Sequence, residues 1–155
     1  MSEFRIAAVT LDEDSMVAHS RYVEQEREVA ITDLLEENFF RLQDSLGGPY
    51  NLTLAVMENR LVFDVSLQDG VAHGKVMLSL TPFQKVIKDY FLVCDSYYKA
   101  IRTASPQQVE ALDMGRRALH DEGSTILKKR LDGKVEVDFD TARRLFTLIC
   151  VLHMK

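Results

Sequence analysis

Asn51-Leu52-Thr53-Leu54-Ala55-Val56-Met57-Glu58-Asn59-Arg60-Leu61-Val62-Phe63-Asp64-Val65-Ser66-Leu67 alternates in period two on both sides of a short turn. Leu52, Leu54 and Val56 share one face of an extended chain, and Leu61, Phe63, Val65 and Leu67 share one face of the next. The pattern predicts an antiparallel hairpin that turns at Glu58-Asn59. Asp69-Gly70 and His73-Gly74 flank a second predicted turn, after which Val76, Leu78 and Leu80 continue as a third strand. A three-strand meander with one apolar face needs a cover.

The residues that follow supply it. Thr81-Pro82-Phe83-Gln84 carries a capping Thr, Pro at the first helical position and Gln three residues after the cap,. The helix it starts is expected to run to about Arg102, with Val86, Ile87, Tyr90, Phe91 and Cys94 on its broad apolar face. Ser105-Pro106-Gln107-Gln108 repeats the signal and opens a second helix through Leu112, Leu119, Ile126, Leu127 and Leu131. Gly115 and Gly123 weaken that helix by up to about 1 kcal/mol each, which leaves open a break near Gly123. Past Gly133 come a short strand through Val135 and Val137 and a last helix from Thr141 to about His153. That helix is apolar on most sides, which predicts a place at the centre of the core. Upstream, Phe4 to Leu11 reads as a strand ended by Asp12-Glu13-Asp14-Ser15, and Tyr22 to Glu37 as a helix. Asn38 is the expected left-handed stop of that helix, and Phe39 to Leu42 a short strand before the Gly47-Gly48-Pro49 break. The fold class is α+β, an antiparallel sheet packed against several helices in a single domain over residues 1–155.

The chain has 155 residues, 46% of them hydrophobic and 28% charged, which suits a globular domain with its own core,. A net charge of −5 argues against general affinity for nucleic-acid phosphates or anionic lipid,. Cys94 and Cys150 sit in apolar runs with no CxxC partner and read as buried thiols of a reducing compartment. The N-terminal Met1-Ser2-Glu3-Phe4-Arg5 lacks a signal-peptide pattern, and no apolar run is long enough to span a bilayer. The expectation is a cytoplasmic protein with no membrane and no nucleic-acid partner.

Three clusters are candidates for chemistry. The first runs from Asp113 to Gly123. On a continuous helix Asp113, Arg116, Arg117 and His120 lie within two turns, with Arg116 and His120 four apart on one face, and Gly115 offers close approach to it. Arg and His together suit a phosphate or carboxylate. The plain alternative is a solvated face tied by Asp113 to Arg116 or Arg117. The second cluster is Asp138-Phe139-Asp140-Thr141-Ala142-Arg143-Arg144. There Asp138 or Asp140 caps the last helix, and both are close enough to pair with Arg143 and Arg144. The third is Tyr90, Tyr97 and Tyr98, whose plainest reading is packing at the core or its rim. His19, His73, His120 and His153 show no i, i+3 or i, i+4 spacing for shared metal ligation. No phosphate-binding glycine loop or nucleophile elbow is present. No metal and no cofactor is expected.

Gly48-Pro49-Tyr50, Arg60 to Asp64, Lys88-Asp89-Tyr90-Phe91, Asp113 to Arg117, Leu119-His120 and Glu136 to Phe146 together resemble an uncharacterised bacterial family found largely in alphaproteobacteria. The resemblance covers nearly the whole chain. The last motif, with the Leu148 to His153 run behind it, is its most specific part. It implies a cytoplasmic bacterial protein and transfers no catalytic residue.

The leading expectation is a non-catalytic binding or regulatory module. It would recognise a protein partner or a small anionic ligand through Arg116, Arg117, His120, Arg143 and Arg144, with Asp113 beside them. The rival is an enzyme acting on a phosphorylated or carboxylated metabolite. In it an Arg holds the anion and His120, with a pKa near neutrality, serves as general acid or base. A concave pocket that gathers His120 and the arginines would favour ligand chemistry, and a flat helix face would favour a protein partner. A one-sided sheet and a long amphipathic helix make a homodimer the expected assembly.

Overall fold

The predicted hairpin is the middle of the sheet. In the computed structural model, which describes residues 3–12 and 21–153, β3 (Tyr50–Met57) and β4 (Arg60–Leu67) pair antiparallel. Leu52 stands opposite Val65, and Leu54 opposite Phe63. Glu58 and Asn59 take φ values of 50° and 60°, the left-handed pair that a two-residue hairpin turn requires. β5 (Ala72–Ser79) completes the meander on the far side of β4. It begins earlier than expected. His73 and Gly74 lie within the strand, with Gly74 opposite Val65, and the turn is confined to Leu67–Val71. There the Gly70 amide donates to the Leu67 carbonyl at 2.8 Å.

The order of the main sheet is β1-β3-β4-β5. β1 (Ile6–Leu11) lies parallel to β3, with Leu11 opposite Leu54, so the sheet is mixed although its meander is antiparallel. β2 (Phe40–Leu42) and β6 (Val135–Val137) form a separate two-stranded antiparallel pair. The four helices are α1 (Arg21–Glu36), α2 (Gln84–Thr103), α3 (Pro106–Leu131) and α4 (Phe139–His153). The expected acidic stop at Glu13-Asp14-Ser15 and His19 lie outside the described residues.

α4 occupies the centre, as its all-round apolar composition demands. Leu145, Phe146, Leu148, Ile149, Cys150 and Val151 are buried along it, and it packs against α1, α3 and β3. Fully burying such side chains contributes about 1.5–3 kcal/mol each, so this helix anchors the helical layer. Asp138 caps it: the Thr141 amide donates to Asp138 Oδ1 at 2.8 Å.

Two local expectations are corrected, and an open one is decided. Asn38 is not among the described residues with positive φ. It ends α1 through its side chain. The amide Nδ2 donates to the Leu34 carbonyl at 2.7 Å and to the Ile6 carbonyl at 3.0 Å, while Oδ1 accepts from the Ile6 amide at 2.7 Å. Asn38 thus acts as a one-residue strand partner for β1. Asn38→Ala is expected to destabilise the fold by about 2 kcal/mol, because it strands three partly buried backbone groups at once,, and urea unfolding measures it.

The Thr81 cap is the second. Leu80 already has helical angles, φ −79° and ψ −13°, so Thr81 begins a 3-10 turn and lacks the extended backbone that an N-cap needs. Its hydroxyl accepts from Asn59 Nδ2 at 3.4 Å, and Gln84 Nε2 donates to Asn59 Oδ1 at 3.0 Å. Both side chains hold the hairpin turn instead. Ser105, by contrast, forms the full capping box with Gln108.

α3 runs unbroken for 26 residues through Gly123, so the break that this glycine left open does not occur. Gly123 is where α3 meets α4, and a Cβ there would stand 2.1 Å from Phe146 Cζ.

Candidate functional site

All four helices contribute to a cavity of about 650 Å³, within the range of small-ligand sites. α1 supplies Glu26, Val29 and Asp33. α2 supplies Tyr90, Tyr97 and Tyr98. α3 supplies Arg116, Arg117 and His120, and α4 supplies Asp140, Arg143, Arg144 and Thr147. Both Arg-Arg steps and His120 therefore open on one concavity. The cause is helical spacing on two helices crossing at Gly123: Arg116 and His120 are one turn apart on α3, and Arg143, Arg144 and Thr147 fall on the facing turns of α4. Asp113 is not part of the lining.

Asp113 stands behind the site and holds its arginines in place. One carboxylate oxygen pairs with Arg116 Nη2, and the other lies 3.0 Å from Arg117 Nε. The hydrogen bond from Arg116, then the charges of Arg116 and Arg117, hold the Asp113 carboxyl below the usual range. The Arg116 guanidinium lies 4.7 Å from the Tyr97 ring centroid, a cation–π contact that flattens it against the wall. Arg143 Nε lies 3.6 Å from Asp121 Oδ1, and Arg144 Nη1 donates to the Glu37 carbonyl at 3.4 Å. The expected pairing of Arg143 and Arg144 with Asp138 and Asp140 is corrected accordingly. Asp138 turns its carboxylate to the cap of α4, which leaves Arg143 to reach across to α3.

His120 differs most from its sequence reading. Its Nε2 lies 2.7 Å from Thr147 Oγ1, and Thr147 donates its single proton to the Arg143 carbonyl at 3.2 Å. The hydroxyl must then accept from His120, which assigns the proton to Nε2 and a lone pair to Nδ1. Nδ1 is buried and has no hydrogen-bond partner among the described residues; Arg116 Nε is in the same position. The ring stands against Tyr90 at 5.6 Å and Phe146 at 5.3 Å. Burial, then the charges of Arg143 and Arg116, push its pKa down to about 4. The expected near-neutral pKa is therefore corrected: this imidazole is neutral at physiological pH.

The tyrosines divide between core and rim. Tyr90 is buried, and that burial pushes its phenol well above the ordinary range. Tyr98 donates to Glu26 Oε1 at 2.6 Å, and burial and Glu26 together raise its phenol. Gly115 does not open the site. A Cβ there would meet only Val93 Cγ1, at 3.9 Å, so this glycine lies beneath α2. Burial raises the Cys94 thiol to about 11 and the Cys150 thiol well above its ordinary value, which makes both poor nucleophiles. Among the described residues no three His, Cys, Asp or Glu side chains group to hold a metal ion, and no helix is long and apolar enough to cross a membrane. The reading from sequence missed Glu26, Asp33 and Thr147. The first two sit seven apart on a helix whose polar residues look like a solvated face, with the buried Ala30 between them as the one local sign.

The model of the Uncharacterised protein family UPF0262 matches residues 3–155. A UPF0262 protein of Nitrobacter winogradskyi is 57% identical over 154 residues, covering 99% of this chain and 92% of that protein. One of Caulobacter vibrioides is 59% identical over 152 residues, covering 97% of this chain and 94% of that protein. One of Xanthobacter autotrophicus is 58% identical over 152 residues, covering 97% and 93%. No solved structure matches the chain. The family match takes in every residue that lines the cavity, and its relatives share more than half of their residues with this chain nearly end to end; the chain belongs to UPF0262, an uncharacterised family with no assigned activity.

Proposed function

We propose that this protein is a non-catalytic cytoplasmic module that binds a small anionic ligand, phosphorylated or carboxylated, in the cavity between its helices. The observation that carries the reading is that Arg116, Arg117, Arg143 and Arg144, from two different helices, line one concavity with His120. Guanidinium groups held by Asp113, Asp121 and a backbone carbonyl are set before a ligand arrives, which lowers the ordering cost of binding. Concavity favours a small anion over a protein partner, whose anchors more often meet a broader surface.

The test is calorimetric titration of the purified protein with inorganic phosphate and with short dicarboxylates. Saturable binding is expected for at least one of them. Arg116→Ala with Arg144→Ala is expected to weaken it by about tenfold or more, since a hydrogen bond to a charged group contributes about 1.5–3 kcal/mol. Equal binding by the double variant, or none by the wild-type protein, overturns the reading.

The concavity also suits the enzymatic alternative. Against that reading, the pKa of about 4 makes His120, the general acid or base it requires, a weak base that carries no acidic imidazolium proton at neutral pH,. The proposal extends to location and assembly. Buried thiols at Cys94 and Cys150 suit a reducing cytoplasm,, and exposed Met57 and Leu92 offer apolar surface to a second copy. A light-scattering mass of the purified protein equal to one chain would overturn the homodimer.

A further inference from the structure

The cavity has walls of opposite sign. Glu26 and Asp33 stand two turns apart on α1 and line it from one side, and the four arginines line it from α3 and α4. The arginines' partners, Asp113, Asp121 and the Glu37 carbonyl, are all outside the lining. Across the cavity, among the described residues, no ion pair joins Glu26 or Asp33 to any of these arginines. Glu26 is instead fixed by the Tyr98 hydroxyl at 2.6 Å, which presents an aromatic ring and a carboxylate side by side. That pairing suits an ammonium group, through charge and ring quadrupole together. With Asp140, the lining holds four arginines and three carboxylates. A polyanion that filled it would meet like charge on the α1 side, and like charges at close quarters disfavour binding.

From this we infer that the ligand is dipolar: a carboxylate or phosphate against the arginines and an ammonium against Glu26, Asp33 and Tyr98, the chemistry of an amino acid or an amino-phosphate. The inference rests on the anion-binding reading and deepens it. An anion alone uses one wall. A ligand with both groups uses two and removes the repulsion.

The experiment is titration of the wild-type protein and of Glu26→Gln/Asp33→Asn with ω-amino carboxylates of increasing chain length and with dicarboxylates of matched length. Gln at position 26 keeps an acceptor for Tyr98, and circular dichroism checks that the variant is folded. At the best length the amino acid is expected to bind the wild-type protein about tenfold tighter than its dicarboxylate. The variant is expected to lose that preference and to bind the dicarboxylate more tightly than the wild-type protein does. If dicarboxylates bind the wild-type protein as well as amino acids do, or if the preference survives in the variant, the dipolar assignment falls and the anion reading stands. If no probe binds, both fall.

Discussion

Gly123→Ala is expected to destabilise the protein by about 2–3 kcal/mol, against the usual gain of about 1 kcal/mol for replacing a mid-helix glycine by alanine. A Cβ at position 123 would lie 2.1 Å from Phe146 Cζ, 2.4 Å from Cε1 and 2.5 Å from Cε2. The ring has nowhere to retreat, being fully buried with Tyr90 and His120 both edge-on to it. Overpacking of this kind costs about 1–3 kcal/mol and occasionally more, and contacts this short fall at the upper end. Gly115 in the same helix is the control. Its Cβ position meets only Val93 at 3.9 Å, so Gly115→Ala is expected to stabilise by about 1 kcal/mol. Urea unfolding of the two variants should give opposite signs. In Gly123→Ala/Phe146→Leu the two losses should combine to less than their sum. A neutral Gly123→Ala would mean that the helices do not cross this closely.

Stability is expected to fall by about 3 kcal/mol on acidification through the titration of His120 alone. The folded-state pKa is about 4, against an ordinary value of 6.5. Above pH 6.5 neither state binds the proton and the full stability is present. Between 6.5 and about 4 the unfolded chain takes up a proton that the folded chain refuses, so folding weakens as pH falls through that window. Below about 4 both states are protonated and this contribution is flat. The paired carboxylate of Asp113 is held low, so its own loss belongs to more acidic conditions. His120→Gln keeps a donor for Thr147 and removes the titration. The difference between wild-type and His120→Gln unfolding free energies, measured at pH 7.5, 6 and 5, isolates the effect. Parallel curves would show that the imidazole is not held neutral.

The meander was legible because alternation on both sides of Glu58-Asn59 is a local property of the chain, and so was the capping box at Ser105. The parallel addition of β1 was not, since no local pattern says which edge a strand will join. Asn38 and Thr81 were read by residue type alone. Their actual roles depend on partners 32 and 22 residues away, Ile6 and Asn59. Gly123 left a break open because propensity cannot see Phe146. At the candidate site, the two arginine pairs and His120 could be named, but their meeting depends on the crossing of α3 and α4. The α1 wall stayed hidden because Glu26 and Asp33 look like ordinary surface residues until the other three helices close over them. For His120 the acidity was misread, because burial and the charges of Arg143 and Arg116 come from the assembled fold.

The close crossing at Gly123 reaches further than packing. Phe146 is both the ring that Gly123 makes room for and a ring on which His120 stands. The spacing of two helices thereby enters, through burial, into the acidity of a side chain at the cavity: helix separation is read out in part as a proton affinity. A bulkier residue at position 123 would push the helices apart, admit water to the imidazole and return its pKa toward 6.5. The folded Gly123→Ala protein would then carry a positive charge at mildly acidic pH where the parent carries none.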